Sequence, residues 1–337
     1  MINFQTQSHF TVLVLTAIAV IALTVAGCQP EKQVGPPEKI TIAYSTSFNA
    51  ALVHIAFAKD FFKEEGLDAT PQSHAFGKVA LQSVIKGKAD IAVAADTPIM
   101  FAIMNNSKIA ILAVIQMSGI DNGIVARRDR GIAKPSDLQG KTIGLTLGTM
   151  GDFFADCFLL VHGIDGKHVK IVDLKPDEMA AALSTGKVDA FSTWNPTLIQ
   201  LQKKLGSNGI MFSDESLYTE IICVVAGQEY VKKNPAAIKK VLRALLQAET
   251  FVQQHPEESL RLVSEFIKTD KALLDETWDD FTFRVALDQA LLVDLEEQTR
   301  WAIKNRLTVR RDMPNYLDFI YVDGLQAVKP AAVRIIR

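Results

Sequence analysis

The sequence predicts an α/β protein of two similar lobes facing a shared cleft, and three observations lead there. Nearly the same unit occurs twice: Gly87-Lys88-Ala89-Asp90-Ile91-Ala92 and Gly186-Lys187-Val188-Asp189-Ala190-Phe191 each follow a short amphipathic helix and open an apolar strand. A helix closed by Gly-Lys, then an acid, then an apolar run is an αβ unit that delivers polar residues to a sheet edge. Each strand then runs into a polar segment closed by proline, Ala95-Asp96-Thr97-Pro98 in the first copy and Ser192-Thr193-Trp194-Asn195-Pro196 in the second. Finally, 337 residues correspond to about two domains, each large enough to hold its own core.

The elements follow in order. Lys39-Ile40-Thr41-Ile42-Ala43-Tyr44 alternates as a strand does and gives way to Ser45-Thr46-Ser47-Phe48-Asn49. One helix should then carry Leu52, Ile55, Ala56 and Phe62 on its inner face and end near Glu65-Gly66, where glycine stops it. A short strand leads to His74-Ala75-Phe76-Gly77, followed by a helix with Leu81, Val84 and Ile85 inward and the first repeated unit. Residues 109–115 are wholly apolar, as a central parallel strand requires. A change of lobe is expected at Gly123-Ile124-Val125-Ala126-Arg127. The segment from Gly131 to Leu145 then supplies a turn, a short helix and a strand that ends in Gly148-Thr149-Met150-Gly151. A helix over Asp152 to Val161, a strand over Val169 to Leu174, the second repeated unit and a return strand at 221–226 come next. After Asn234-Pro235 the chain reads as almost wholly helical, with Val241, Leu242, Leu245, Ala248 and Val252 on one stripe that packs back on the first lobe.

Composition excludes several classes of function. With 36 basic and 38 acidic side chains, no charge field points to nucleic acid. The six histidines are scattered, without His-x-x-x-His, His-Glu-x-x-His or paired-cysteine spacing, so no metal site is expected. His54 and His74 are expected at the surface or in the core rather than in the cleft. Neither a phosphate-binding glycine loop nor Gly-x-Ser-x-Gly occurs, so neither cofactor nor catalysis is expected. After Cys28 only Cys157 and Cys223 remain, each in an apolar setting that suits a buried thiol.

The N-terminus is distinctive. No charged residue occurs from Phe10 to Gly27, and Val25-Ala26-Gly27-Cys28 precedes a polar stretch containing Gly35-Pro36-Pro37. This resembles the signal peptide and lipobox of bacterial lipoproteins, in which the cysteine is lipidated. The resemblance implies a signal peptide over 1–27, a lipid on Cys28, a tether over 28–38, and an exported, membrane-anchored protein.

A wider resemblance rests on residues 132–145, on Gly186-Lys187-Val188-Asp189-Ala190, on Trp194-Asn195-Pro196 and on the C-terminal Met313-Pro314-Asn315-Tyr316-Leu317-Asp318-Phe319-Ile320-Tyr321. Together they resemble type II periplasmic solute-binding proteins of ABC importers, in the nitrate, sulfonate and taurine (NMT1/THI5-like) family. The family often has Trp-Glu-Pro where this chain has Trp-Asn-Pro. The resemblance implies a type II periplasmic-binding-protein fold, each lobe a mixed sheet flanked by helices. Lobe 1 would span 39–123 and 221–337, with lobe 2 spanning 124–220 and hinges at Gly123 to Arg127 and Leu217 to Ala226. It implies a monomer that binds a small polar solute and hands it to a membrane permease driven by a separate ATPase. One alternative is thiamine-pyrimidine binding, or its synthesis on the same fold. Synthesis is disfavoured because the relatives that carry it out have a cysteine-rich motif absent here. A sensory lipoprotein that feeds no importer is the other.

Ligands of open α/β sheets bind beyond the carboxyl ends of strands, which selects the candidate site residues. Ser45, Thr46, Ser47, Phe48 and Asn49 follow the first strand, and their hydroxyls, amides and backbone N–H groups suit a polar head. Phe76 and Gly77 follow the second strand. Gly148, Thr149 and Met150 hold the corresponding place in the second lobe, with Asp152 set to satisfy the helix terminus itself. Asp96 and Thr97 follow the first repeated strand; an acid facing the cleft there would call for an amine, amide or hydroxyl on the ligand. Trp194 offers a flat ring to cover a ligand, and Asn195 can both donate and accept.

Overall fold

The computed structural model describes residues 36–336. The expected signal peptide over 1–27, the expected lipidation of Cys28 and the expected tether up to residue 35 lie outside the described residues.

Among the described residues the strands are β1 (Glu38–Ser45), β2 (Leu67–His74), β3 (Ile91–Ala95), β4 (Ile109–Ser118), β5 (Asn122–Arg127), β6 (Thr142–Leu145), β7 (Lys170–Asp173), β8 (Ala190–Trp194), β9 (Gly209–Phe212), β10 (Glu220–Gly227) and β11 (Thr282–Ala286). They form two sheets, ordered β11-β4-β10-β3-β1-β2 and β7-β6-β8-β5-β9. Both are mixed. In the first, β1 runs parallel to β2 and β3, while β10 lies antiparallel between β3 and β4. In the second, β6 runs parallel to β7 and β8, and β5 is antiparallel to β8.

The repeated unit has a structural job, and it is the same in both lobes. Gly87 and Gly186 both sit at φ 66°, the left-handed turn that lets a helix end and a strand begin. The Asp90 carboxylate accepts the Thr41 N–H at 2.8 Å, and the Asp189 carboxylate accepts the Thr142 N–H at 2.9 Å. Each acid therefore pins the start of β3 or β8 to the neighbouring parallel strand. Ile42 lies opposite Ile91 in the first sheet and Ile143 opposite Ala190 in the second.

Four sequence expectations are corrected. Residues 109–118 form a buried central strand, but it is antiparallel to both β10 and β11. An unbroken apolar run reports burial on both faces and carries no information about strand direction. The expected single helix before Gly66 is two, Ala51–Ala58 and Phe61–Glu64, broken where Asp60 takes φ 60°. The C-terminal region contains β11, an edge strand whose Phe283 and Val285 face inward. Of the expected hinge segments, Gly123 to Arg127 lies inside the paired strand β5, and Leu217 to Ala226 lies inside β10 from Glu220 onward, where ladder hydrogen bonds fix the backbone. The chain instead crosses between sheets at 119–121 and 213–219, outside both ladders.

The C-terminal helices close the first lobe. Val241, Leu242, Leu245, Ala248 and Val252 of the helix Pro235–Gln254 are buried, and that helix packs on Ala51–Ala58 and on Val322–Val328. His54 is in the core, its Nε2 3.2 Å from the Ser45 carbonyl and its ring stacked on Phe266. Burial pulls its pKa down to about 3, so it is neutral. His74 pairs with the Ser83 hydroxyl at 3.1 Å. Cys157 and Cys223 are free thiols.

Candidate functional site

Between the lobes lies a small cavity of ≈ 20 Å³, and its walls come from the carboxyl ends of strands in both sheets. The segment after β1 contributes Ser45, Ser47 and Asn49, and the start of the helix Gly77–Ile85 contributes Phe76, Gly77 and Lys78. Val93, Ala94 and Ala95 of β3, Pro98 beyond it, and Ile222 of β10 make an apolar floor. The second lobe closes over these with Thr149, Met150 and Trp194. A helix must press tightly on β3 for this geometry: a Cβ on Gly77 would stand 3.2 Å from the Ala94 Cα and the Val93 carbonyl oxygen. Glycine is what lets the first turn of that helix reach the cavity.

The polar equipment is sparse. Ser45 Oγ and Ser47 Oγ share a hydrogen bond of 2.8 Å. The Thr149 hydroxyl donates to the Thr146 carbonyl at 2.7 Å. The one charge in the lining is Lys78, whose ammonium donates across the cleft to the Leu147 carbonyl at 2.6 Å. Burial lowers its pKa, opposed by the carboxylates of Asp173 and Asp152. Asp152 stays outside the cavity, its carboxylate accepting the Gly148 N–H at 2.8 Å, and burial pushes its pKa up to about 6.

Of the residues selected from sequence, Ser45, Ser47, Asn49, Phe76, Gly77, Thr149, Met150 and Trp194 come together in this lining. The others do not. Thr46 is exposed, its hydroxyl donating to the His74 carbonyl at 3.4 Å. Phe48 is buried edge-on to Phe281 at 4.8 Å in the first lobe's core. Gly148 lies one residue outside, at φ 66°, shaping the turn that brings Thr149 inward. Asn195 is buried and donates its N–H to the Asp121 carbonyl at 3.2 Å.

The largest correction concerns Asp96 and Thr97, both fully buried and turned away from the cavity. The Asp96 carboxylate accepts from the Tyr218 hydroxyl at 2.5 Å, from the Ile221 N–H at 3.0 Å and from the Thr97 N–H at 2.6 Å. It opens the helix Asp96–Met104, and its carboxyl group ties that helix to β10. A helix start seen in sequence does not say which side its first side chain takes, and here three protein donors decide it.

Lys78 is the residue that sequence reasoning missed. Its signal was present: a cation in the first turn of a helix that opens beside the cleft, directly after a glycine that permits close approach.

The lobes touch on both sides of the cavity. Besides Lys78 to Leu147, the Asp156 carboxylate of the second lobe accepts from Trp301 Nε1 at 3.0 Å and Asn305 Nδ2 at 3.2 Å of the first. Lys203 and Glu276 form an ion pair of 2.5 Å. Phe153 meets the edges of Trp301 and Tyr218 at 5.1 and 5.2 Å. The form described is therefore closed.

Two mixed sheets bridged by two crossovers, with a cavity at the strand ends between them, define the periplasmic binding-protein fold. The alkanesulfonate-binding protein SsuA of Xanthomonas axonopodis pv. citri, solved bound to MOPS, superposes with a TM-score of 0.72 over 85% of this chain and 99% of its own, at 16% identity. Residues 47–259 match the family described as NMT1/THI5 like, and the chain belongs to that family. Its relatives include a Brucella abortus protein itself described only as a candidate binding protein, 25% identical over 243 residues that cover 70% of this chain and 74% of the relative. The taurine-binding periplasmic protein of Escherichia coli is 24% identical over 212 residues, covering 62% and 65%.

Proposed function

We propose that this chain is the extracytoplasmic solute-binding component of an ABC importer and that its solute is a small organic anion of the sulfonate type with a short apolar body. The observation that carries this reading is the cavity lining, which holds one cation, Lys78, the hydroxyls of Ser45, Ser47 and Thr149, the amide of Asn49, and no carboxylate. An anionic head would sit among Lys78, Ser45, Ser47 and the N-terminal turn of the helix Met150–Val161, where backbone N–H groups favour negative charge. Phe76, Met150, Pro98 and Trp194 would enclose the apolar part. At ≈ 20 Å³ the cavity of the closed form has room for about one water, so even a guest of few atoms would seat only with the lobes slightly further apart. The names of the taurine and alkanesulfonate relatives support the same class. Binding would draw the lobes together, and the closed protein would pass its solute to a permease served by a separate ATPase. On this reading the protein is exported and works as a monomer held at the membrane through Cys28.

A thermal-shift panel of taurine, short alkanesulfonates, nitrate, pyrimidines and small aromatic acids tests the reading. A true ligand at 100 times its dissociation constant stabilises the fold by about 2.7 kcal/mol. The sulfonates should produce this rise and nitrate, which lacks an apolar body, a smaller one. A panel in which only the pyrimidines stabilise would overturn the assignment. With the ligand found, Trp194→Ala should raise the dissociation constant roughly tenfold, about 1.4 kcal/mol. An unchanged constant would return the ring to a purely structural part in the second lobe.

A further inference from the structure

The two crossovers run side by side, and an acid from each meets its partner there. Asp121 ends the first crossover and Glu220 begins β10 directly after the second; both are buried at 1% exposure, with their carboxyl groups hydrogen-bonded to each other. The donors around them come from both lobes. Glu220 accepts from Asn49 Nδ2 at 2.7 Å, on the first lobe's cavity wall, and from Asn122 Nδ2 at 2.9 Å, on β5 of the second. Asp121 Oδ1 is 3.3 Å from the Asn195 N–H just past β8, and the side-chain amides of Asn195 and Asn49 lie beside the same carboxyl group.

Two carboxylates in contact, enclosed and without a counter-ion, do not both ionise; the pair keeps one proton between them. The neighbouring acids give no relief. Asp96 of the helix Asp96–Met104 and Asp294 of the helix Gln289–Lys304 form a second carboxyl pair, which also takes the Tyr218 hydroxyl, the Ile221 N–H and the Gln298 amide. Glu297 adds further negative charge beside Asp294. Among the described residues, no lysine, arginine or histidine hydrogen-bonds any of these four acids.

We propose that the Asp121–Glu220 pair is a proton-held clasp on the hinge: the shared proton lets both crossovers and the cavity residue Asn49 be tied together in the closed form, and its loss opens the lobes. Deprotonation would leave two like charges in contact in a dry site, relieved only by water entry and separation of the crossovers. Burial agrees in direction, pushing Asp121 up to about 6 and Glu220 well above the usual carboxylate range, with the Asp121 charge raising Glu220 further. The sign follows. The folded protein holds a proton that the unfolded chain has released above about pH 4, so this stability is full below that value. It is lost as pH rises through the folded value of Glu220, the acid that keeps the proton, which stands well above the usual carboxylate range.

The test needs no ligand, so its failure and the failure of the solute-binding reading are separate outcomes. Unfolding midpoints and small-angle scattering of the full chain are compared from about pH 5 to about pH 8 for wild type, Glu220→Gln and Asp121→Asn. The wild-type midpoint should fall by roughly 5 °C across that range, and its radius of gyration should rise. Glu220→Gln, whose amide supplies the donor at every pH, should lose about half of the fall, leaving the Asp96–Asp294 share, and should keep a constant radius. A flat wild-type midpoint or radius overturns the proposal, as does a slope unchanged in Glu220→Gln. Should both variants fail to fold, infrared spectra of the wild type decide alone: a protonated-carboxyl band present at neutral pH and bleached together with the scattering change supports the clasp. Its absence rules the clasp out.

Discussion

Asp96→Ala is expected to remove about 3–5 kcal/mol of folding stability, read as a fall in the urea midpoint at unchanged slope. The carboxyl group is fully buried and serves the Tyr218 hydroxyl, the Ile221 N–H and the Thr97 N–H. Alanine leaves these donors in a site that water does not reach, and each unpaired buried group costs about 1–3 kcal/mol. It also strips Asp294 of its partner. Asp96→Asn keeps an acceptor oxygen and should lose much less. Affinity of the folded fraction for its solute should change little, because Asp96 does not line the cavity. A normal midpoint combined with weakened binding would place Asp96 at the ligand after all.

Lys78→Met should raise the dissociation constant for an anionic ligand by roughly 30-fold, about 2 kcal/mol. Methionine retains much of the apolar stem while deleting the single charge of the lining and the bond to the Leu147 carbonyl. Two roles are thereby removed at once, attraction of the anion and one latch between the lobes. They separate by comparison with Asn305→Ala, which loosens the latch at Asp156 and touches no cavity residue. If both variants weaken binding equally, Lys78 acts only by holding the lobes together. A larger loss in Lys78→Met assigns the difference to its charge. The burial-lowered pKa of Lys78 adds a direction: affinity for an anion should decline earlier on the alkaline side than an ordinary lysine would cause.

The two-lobed design was legible because it is written locally. Gly87 and Gly186 stop helices by a backbone need that only glycine meets without strain, and Asp90 and Asp189 each capture a strand N–H within the same unit. Loops after parallel strands must emerge at the sheet edge, so Ser45, Ser47, Asn49, Thr149 and Trp194 could be named as cavity candidates from their positions alone. Strand direction was not local. The apolar run from Ile109 to Ile115 fits a parallel or an antiparallel centre equally, and pairing with β10, more than a hundred residues later, settled it. β11 escaped for a related reason, since a five-residue edge strand between helices has too little alternation to stand out.

By itself the sequence determined the framework: two αβ units of one design, the turns between them, and the loops offered to a cleft, all consequences of backbone geometry over a few residues. The tertiary structure decided which way the offered side chains point. Asp96 and Lys78 both stand at helix starts beside the cleft, one buried among donors from β10 and its crossover, the other reaching across to Leu147. That choice turned a cavity expected to face an acid into one lined by a single cation. It rests on contacts between residues as far as 125 positions apart, where the cost of leaving a buried polar group unpaired outweighs any preference of the local helix start.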